Sequence, residues 1–226
     1  MSGRLRFSLA RAERHLRDVD PVVARLIDRH GRYRPRPAGD PYAALLRTIV
    51  FQQLAGAAAG TIFRRFTALY GDGEVAPTPS QLLATPDATL RQAGLSRQKI
   101  GYLRDLAHHV AAGDLDFARM HAWPDDDVIA HLTAVRGVGE WTAHIFLMFQ
   151  LGRPDILPVG DLGLRRGMQV AYALPAPPSP VEAAAIGARW APYRSVASWY
   201  MWRAVEGGVP GPPAPPGPRR RGASAP

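Results

Sequence analysis

The chain has 226 residues, of which 46% are hydrophobic and 21% are charged, so it contains enough apolar material for a compact core. Its formal net charge of +9 at pH 7 favours nucleic acid over a membrane surface as its partner. The sequence contains no cysteine, which excludes disulfides, thiolate zinc sites and iron–sulfur clusters. We recognise no signal peptide and no membrane-spanning run, and therefore expect a cytoplasmic protein.

The N-terminal half of the sequence predicts a series of helices. Residues 1–40 are rich in arginine and contain two periodic segments, at 8–18 and 22–30. After Pro41, apolar residues recur at intervals of three and four, which predicts two helices that end at Gly71. Three shorter helical segments follow, and we expect the last to begin after a Ser96 N-cap and to end at Gly113.

The C-terminal half continues this helical pattern. Helical segments are predicted on both sides of the glycine pair at 137–139, and three more follow Pro154. No alternating pattern typical of strands occurs, so the predicted fold class is all-α. The final segment, 207–226, is composed largely of proline, glycine and arginine and is predicted to be disordered.

The segment TAVRGVGEWTAHIF, residues 133–146, predicts a tight hairpin between two helices. Its two glycines permit backbone angles that other residues avoid, and the valine between them is expected to point inward. The second helix then begins with N–H groups that suit a DNA phosphate, on a hairpin made of Gly137, Val138, Gly139, Glu140 and Thr142. By themselves, these residues fit an ordinary corner between two helices equally well.

With its flanks, the hairpin resembles that of the helix-hairpin-helix DNA glycosylase superfamily. PVGD, residues 158–161, follows one helix length downstream, where that superfamily has a loop of glycine and proline followed by an aspartate. VFQQLAGAAA, GLSRQKIGYLRDLA and YRSVASWYMWR resemble segments of its alkylated-base branch, the AlkA-like 3-methyladenine DNA glycosylase II enzymes. The resemblance covers residues 40–206, and Arg136 stands where the superfamily often has proline.

The resemblance implies two helical lobes with the active-site cleft between them. Residues 41–153 would form a lobe that ends in the hairpin, and residues 154–206 the catalytic loop and a C-terminal lobe. We expect the helices of residues 1–40 to pack with the C-terminal lobe. The N-terminal β lobe of a longer member of the family is expected to be absent.

The resemblance also assigns roles to individual residues. Asp161 corresponds to the catalytic carboxylate, and Leu54, with Gln53 beside it, corresponds to the residue that fills the space left by a flipped nucleotide. The backbone carbonyls of Thr133, Val135 and Val138 correspond to those that bind a monovalent cation, Na⁺ or K⁺, in relatives. No other cofactor is expected.

The remaining assignments concern the base and the type of reaction. Trp141, Tyr193 and Ile145 occupy positions of the base pocket, although some relatives have an aromatic residue in place of the isoleucine. Lyase-active relatives have a lysine at the position of Trp141, so this chain is expected to be a monofunctional hydrolase. Its expected substrate is double-stranded DNA with alkylated purines such as 3-methyladenine and 7-methylguanine, and it is expected to act as a monomer that associates with the nucleoid.

Each of these residues also has a purely structural interpretation. Leu54 could belong to the core, Asp161 could serve only as an N-cap, and Trp141 and Tyr193 could be buried aromatics. Two alternative functions remain open as well. The chain could be a non-enzymatic DNA-binding module, or a glycosylase for other lesions such as ethenoadenine, hypoxanthine or 1-methyladenine.

Overall fold

The computed structural model describes residues 7–34, 39–54, 56–73 and 75–207. Within these ranges the chain forms α-helices and short 3₁₀ turns but no β-strand, which confirms the predicted all-α class. The helices are α1 Leu9–Val19, α2 Pro21–His30, α3 Pro41–Phe51, α4 Gly56–Thr67, α5 Pro79–Ala84, α6 Asp87–Gln92, α7 Arg97–Ala112, α8 Asp125–Thr133, α9 Glu140–Phe149, α10 Leu162–Tyr172, α11 Pro180–Gly187 and α12 Arg194–Gly207.

The chain divides into two compact units. The first is built around Arg34–Pro158 and contains α3 to α9. The second combines Leu9–Tyr33 with the segment that begins at Val159, and contains α1, α2 and α10 to α12. The predicted disordered tail was expected to begin at residue 207, but Gly207 is still part of α12. Residues 208–226 lie outside the described residues.

Helix α7 lies at the centre of the first unit, where it packs against α3, α5 and α6. Its buried face consists of Ile100, Leu103, Leu106 and Ala107, spaced as expected for an amphipathic helix. Both predicted ends are confirmed. The Ser96 hydroxyl accepts a hydrogen bond from the Lys99 N–H at 3.2 Å, and Gly113 ends the helix in the left-handed conformation with a φ of 85°.

The two helices predicted after Pro41 are also confirmed. Asp40 caps α3 through the N–H of Tyr42, and the 3₁₀ turn that follows α4 ends just before Gly71. Between α3 and α4, the chain leaves the helical conformation at Gln52, whose ψ is 134°, and the next residue, Gln53, has a φ of 56°. A non-glycine residue seldom adopts this conformation, so the break between α3 and α4 is locally strained.

In the second unit, α10 and α12 cross at very short range. A Cβ added at Gly167 of α10 would lie 2.0 Å from the backbone carbonyl oxygen of Met201 in α12. Asp20, which caps α2, is 1% exposed and also accepts hydrogen bonds from the Tyr172 hydroxyl at 2.5 Å and the Trp190 indole at 2.9 Å. These bonds join α2 to the C-terminal segment and give the buried carboxylate the hydrogen-bond donors that it needs away from water.

None of the helices within the described ranges combines the length and the apolar character needed to cross a membrane.

Candidate functional site

The hairpin between α8 and α9 is a tight turn. The Val138 N–H donates to the Val135 carbonyl at 3.0 Å, and Val138 itself is only 4% exposed, so it points inward as expected. Helix α9 begins at Glu140 with Gly139 as its N-cap, and no side chain of the cap closes this end of the helix. The turn therefore directs the first backbone N–H groups of α9 outward, the arrangement that suits an anion.

Of the two glycines of the hairpin, the structure requires only Gly137 to be glycine. Gly137 has a φ of 84°, and a Cβ added there would lie 2.2 Å from the Tyr102 ring. Gly139 has a φ of −94°, and a Cβ added there would meet nothing within 4 Å. The expectation that both glycines adopt unusual backbone angles is therefore correct for Gly137 and wrong for Gly139.

Helix α7 supports the hairpin through Asp105 as well as Tyr102. The Asp105 carboxylate accepts the backbone N–H of Arg136 at 2.8 Å and its Nε at 2.9 Å. Burial raises the pKa of Asp105, but the backbone and side-chain bonds from Arg136 and the charges of Arg136 and His109 together hold it below its ordinary value. A proline at position 136 would have no N–H for this bond, so the departure from the superfamily's usual proline has a structural use.

Thr142 and Glu140 differ in what they present at the start of α9. Thr142 is only 4% exposed, so its side chain faces the core and a phosphate contact at this residue would involve the backbone N–H. The Glu140 side chain is 74% exposed, and its carboxylate lies 3.7 Å from Nε2 of His144 one turn further along. An acidic group in the first turn stabilises the helix dipole.

We call residues Gln52–Leu54, which follow α3, the wedge loop. Leu54 is 39% exposed, so it is not a core leucine, in contrast to the structural interpretation considered above. The Gln52 side-chain amide donates to the Gly137 carbonyl at 2.7 Å. The wedge loop and the hairpin are thus joined directly, although 85 residues separate the two partners in sequence.

Trp141 borders a cavity of about 680 Å³ beside the wedge loop. It is 45% exposed, which excludes simple core packing for this tryptophan. The cavity is also lined by residues of α3 and the wedge loop, namely Arg47, Thr48, Phe51, Gln52 and Gln53. Ile145 lies elsewhere, against a separate gap of about 50 Å³ between α3 and α9, so the structure does not bring it into the Trp141 cavity.

A second cavity, of about 410 Å³, lies between the wedge loop and the hairpin. Thr133, Val135 and Val138, whose carbonyls are the expected cation ligands, all border it. The two nearby cationic side chains are engaged elsewhere, Arg136 with Asp105 and Lys99 with backbone carbonyls of α3 and the wedge loop. These residues are therefore compatible with a monovalent cation. Within the described ranges, no cluster of acidic or histidine side chains could hold a metal ion.

Asp161 is the N-cap of α10 in the second unit. Its Oδ1 accepts the Leu164 N–H at 2.5 Å and the Trp202 indole N–H at 3.0 Å, and the residue is half-buried. Gly163 keeps this corner open, because a Cβ there would lie 2.9 Å from Oδ1. The two bonds fix the position of the carboxylate. Capping of α10 alone would need only the bond from the Leu164 N–H.

Tyr193 also belongs to the second unit, directly before α12. It is half-buried, and its ring makes an edge contact with His15 of α1 at 5.5 Å between centroids. The carbonyl of Tyr193 accepts hydrogen bonds from the N–H groups of Val196 and Ala197 in the first turn of α12. Its backbone therefore helps to begin α12.

A sequence profile described as "HhH-GPD superfamily base excision DNA repair protein" matches residues 46–192. The chain belongs to this superfamily. The family resemblance inferred from the hairpin and its downstream aspartate is thereby confirmed, and the protein is a DNA glycosylase of base excision repair.

The similarity to known DNA glycosylases extends over most of the chain. DNA-3-methyladenine glycosylase 1 of Schizosaccharomyces pombe is 32% identical over 200 residues, which are 87% of each chain. The structure of a 3-methyladenine DNA glycosylase from the same yeast with abasic DNA has a TM-score of 0.79 at 32% identity, over 87% of this chain and 97% of that one. A DNA-3-methyladenine glycosidase from Bacillus halodurans has a TM-score of 0.77 at 35% identity, over 90% and 92% of the two chains.

The sequence did not identify two residues of the glycosylase, Trp202, which contacts Asp161, and Arg47, which lines the cavity beside Trp141. Trp202 lies 41 residues from its partner Asp161, and no local pattern connects the two. Arg47 was equally unmarked, although its guanidinium lies 4.0 Å above the Phe51 ring, four residues away on one helix face. That spacing was a signal which could have identified the pair.

Proposed function

We propose that this glycosylase removes alkylated purines, such as 3-methyladenine and 7-methylguanine, from double-stranded DNA by hydrolysis of the N-glycosidic bond. The observation that carries the proposal is the fixed carboxylate of Asp161, which both the α10 backbone and the Trp202 indole hold through Oδ1. Breaking the bond develops positive charge on the sugar, as in other glycoside hydrolyses. A negative charge kept in place beside that sugar stabilises the transition state without further reorganisation.

The reaction is proposed to be monofunctional, with water rather than an amine as the nucleophile. Trp141 occupies the position of the lysine in lyase-active relatives. Lys99, the single lysine of the sequence, donates to the carbonyls of Val50 and Gln52, and burial lowers its pKa. Because its amine already serves two backbone carbonyls, Lys99 is a poor candidate for a Schiff base with the sugar.

Recognition of the base is assigned to the Trp141 cavity. A methylated purine is electron-poor and often cationic, so the exposed indole face of Trp141 favours it over the normal base. The cavity of about 680 Å³ has ample room for a purine. Tyr193 stays a proposed second aromatic contact of the base. Ile145 lines only the neighbouring gap and is not proposed to contact the base. Alkylation also weakens the bond to be broken, so part of the selectivity comes from the lesion itself.

DNA binding is assigned to the hairpin and the wedge loop of the first unit. The α9 N-terminus would bind a phosphate through the backbone of the hairpin residues, and Leu54 would enter the space left by the flipped nucleotide. We retain Na⁺ or K⁺ at the carbonyls of Thr133, Val135 and Val138 as part of this interface, where it would neutralise phosphate charge. No other cofactor is proposed, and the protein would act as a monomer on chromosomal DNA in the cytoplasm.

The test is an analysis of the products that the wild-type chain releases from duplex DNA containing single, defined lesions. Release of free 3-methyladenine or 7-methylguanine, with an abasic strand that breaks only after heating in alkali, supports the proposal. Strand cleavage that borohydride can trap as a covalent complex would instead indicate a lyase. Binding without release of any base would indicate a non-enzymatic clamp, and preferential release of ethenoadenine, hypoxanthine or 1-methyladenine would assign a different lesion.

A further inference from the structure

Lys99 joins α7 to the end of α3. Its Nζ donates to the carbonyl of Val50 and, at 2.9 Å, to the carbonyl of Gln52, although 49 and 47 residues separate the partners. Burial lowers the pKa of this amine. A cation at the C-terminal end of a helix is favourably placed with respect to the helix dipole. Lys99 therefore acts as a side-chain cap for α3, supplied by a different helix.

The backbone groups around the end of α3 show what this cap achieves. The Gln52 N–H donates to the carbonyls of Thr48 and Ile49, and the Leu54 N–H donates to that of Phe51 at 3.4 Å. Lys99 satisfies the two carbonyls of this turn at Val50 and Gln52. The last carbonyls of a helix need such partners, because they have none within the helix. The conformation of the wedge loop is thus fixed by bonds within the loop and by Lys99.

The wedge loop needs this support because it is strained. Gln53 has a φ of 56°, which costs a non-glycine residue free energy and persists only where the surroundings impose it. Gln53 lies between the carbonyl that Lys99 binds and the exposed Leu54. On the other side, the Gln52 amide ties the loop to the Gly137 carbonyl of the hairpin. Loss of the Lys99 bonds would let Gln53 relax and would move Leu54 relative to the hairpin.

We propose that Lys99 is a positioning residue for base flipping, which holds Leu54 at a fixed place relative to the phosphate-binding hairpin. The inference rests on the proposed function, because it assumes that Leu54 enters the DNA. Lys99 acts only through the wedge loop and touches no reacting atom. Its contribution should therefore depend on whether the lesion must be extracted from a base stack.

The experiment compares one lesion in two settings, paired within a duplex and unstacked in a single strand, under single-turnover conditions. Lys99→Met keeps the aliphatic stem and removes the donors, whereas Lys99→Arg keeps a cation with donors. We expect Lys99→Met to slow release from the paired duplex by about tenfold and to leave release from the single strand nearly unchanged, because only the paired lesion must be extracted from a stack. Lys99→Arg should retain most of the duplex activity.

Arg104→Met is the matched control. Arg104 also lies on α7 and donates to backbone carbonyls at the end of another helix, those of Leu83 at 2.9 Å and Thr85 at 2.7 Å. Its loss should lower stability without changing the ratio of duplex to single-strand activity. If Lys99→Met does not yield folded protein, Lys99→Gln, which keeps one donor group, is expected to show the same selective loss on the duplex.

A double mutant provides a second criterion. If Lys99 works through the wedge, Lys99→Met should cost little more in a Leu54→Ala background, because the residue that it positions is gone. Equal losses on paired and unpaired lesions, additive losses in the double mutant, or a selective duplex loss in Arg104→Met would overturn the inference. A wild-type chain that releases no base from either setting would instead contradict the proposed function.

Discussion

Trp202 holds the Asp161 carboxylate through one indole N–H, at 3.0 Å from Oδ1. The bond keeps the carboxylate at a fixed angle to the start of α10, where the Leu164 N–H binds the same oxygen. A hydrogen bond to a charged group contributes about 1.5–3 kcal/mol. Trp202 is therefore the residue whose loss would most directly release the carboxylate while leaving its charge in place.

Replacing Trp202 by phenylalanine tests this positioning. A smaller aromatic ring remains but the indole donor is lost, so we expect the single-turnover rate of base release to fall about 10- to 100-fold, with little change in affinity for DNA. The rate is measured on a duplex with one lesion, and the affinity by fluorescence anisotropy. An unchanged rate would show that the indole contact has no part in the reaction.

A single residue, His144, makes the stability of the fold depend on pH. Burial lowers the pKa of His144, and the neighbouring carboxylates of Glu140 and Asp125 offset this only in part. Since an unfolded histidine titrates near 6.5, the unfolded chain binds more protons just below that pH than the folded chain does. This histidine therefore costs no stability above about pH 7 and destabilises the fold as the pH falls below 6.5.

We predict that His144→Gln loses less unfolding free energy than wild type between pH 7 and pH 5, as measured by urea denaturation at both values. His108→Gln, at an exposed position on α7, is the control and should behave like wild type. An identical acid sensitivity in all three proteins would mean that His144 protonates freely in the folded state.

At the scale of elements, the hairpin depends on contacts with helix α7, which the sequence of the hairpin does not predict. Helix α7 places the Tyr102 ring against Gly137 and the Asp105 carboxylate against Arg136. The left-handed conformation of Gly137 and the contact with Tyr102 both require the absence of a side chain. Gly139 satisfies neither condition, and it begins α9 in an extended conformation that any residue adopts.

The two glycines can therefore be separated by substitution. Gly137→Ala should lower the free energy of unfolding by about 1–3 kcal/mol and weaken DNA binding, because both the backbone and Tyr102 must shift. Gly139→Ala should cost less than 1 kcal/mol and leave binding largely intact, since its Cβ would enter open space. Urea unfolding and anisotropy on the same duplex measure both quantities. Equal effects of the two substitutions would contradict the role assigned to Tyr102.

Local patterns in the sequence were sufficient for the elements but not for the contacts between them. The cap at Ser96 and the stops at Gly71 and Gly113 are encoded by nearby residues, and each was predicted. The contacts of Lys99, Tyr102 and Asp105 join residues 31 to 49 positions apart and leave no periodic pattern. The glycines alone predicted a hairpin, but the roles assigned to Asp161 and to the hairpin depended on the family resemblance, because a glycine pair and a single acid are each common.

For the whole molecule, the formal charge of +9 predicts that binding to DNA depends strongly on salt. A protein that neutralises several phosphates releases their counterions, so affinity falls as salt rises. We expect the dissociation constant for an undamaged duplex to increase about tenfold or more between 50 and 200 mM salt. Anisotropy titrations at several salt concentrations measure the slope. A dissociation constant that does not vary with salt would contradict a phosphate-based interface.

The proposed activity of the whole molecule depends on the carboxylate of Asp161. The substitution Asp161→Asn removes its negative charge. Asparagine is as good an N-cap as aspartate, so α10 should remain intact while the negative charge disappears. The decisive measurement is single-turnover release of 7-methylguanine from duplex DNA, with binding to the same duplex measured in parallel. We predict wild-type affinity for the duplex and a rate of base release reduced by about 100-fold or more. A variant that binds equally well and releases the base at the wild-type rate would contradict catalysis by this carboxylate.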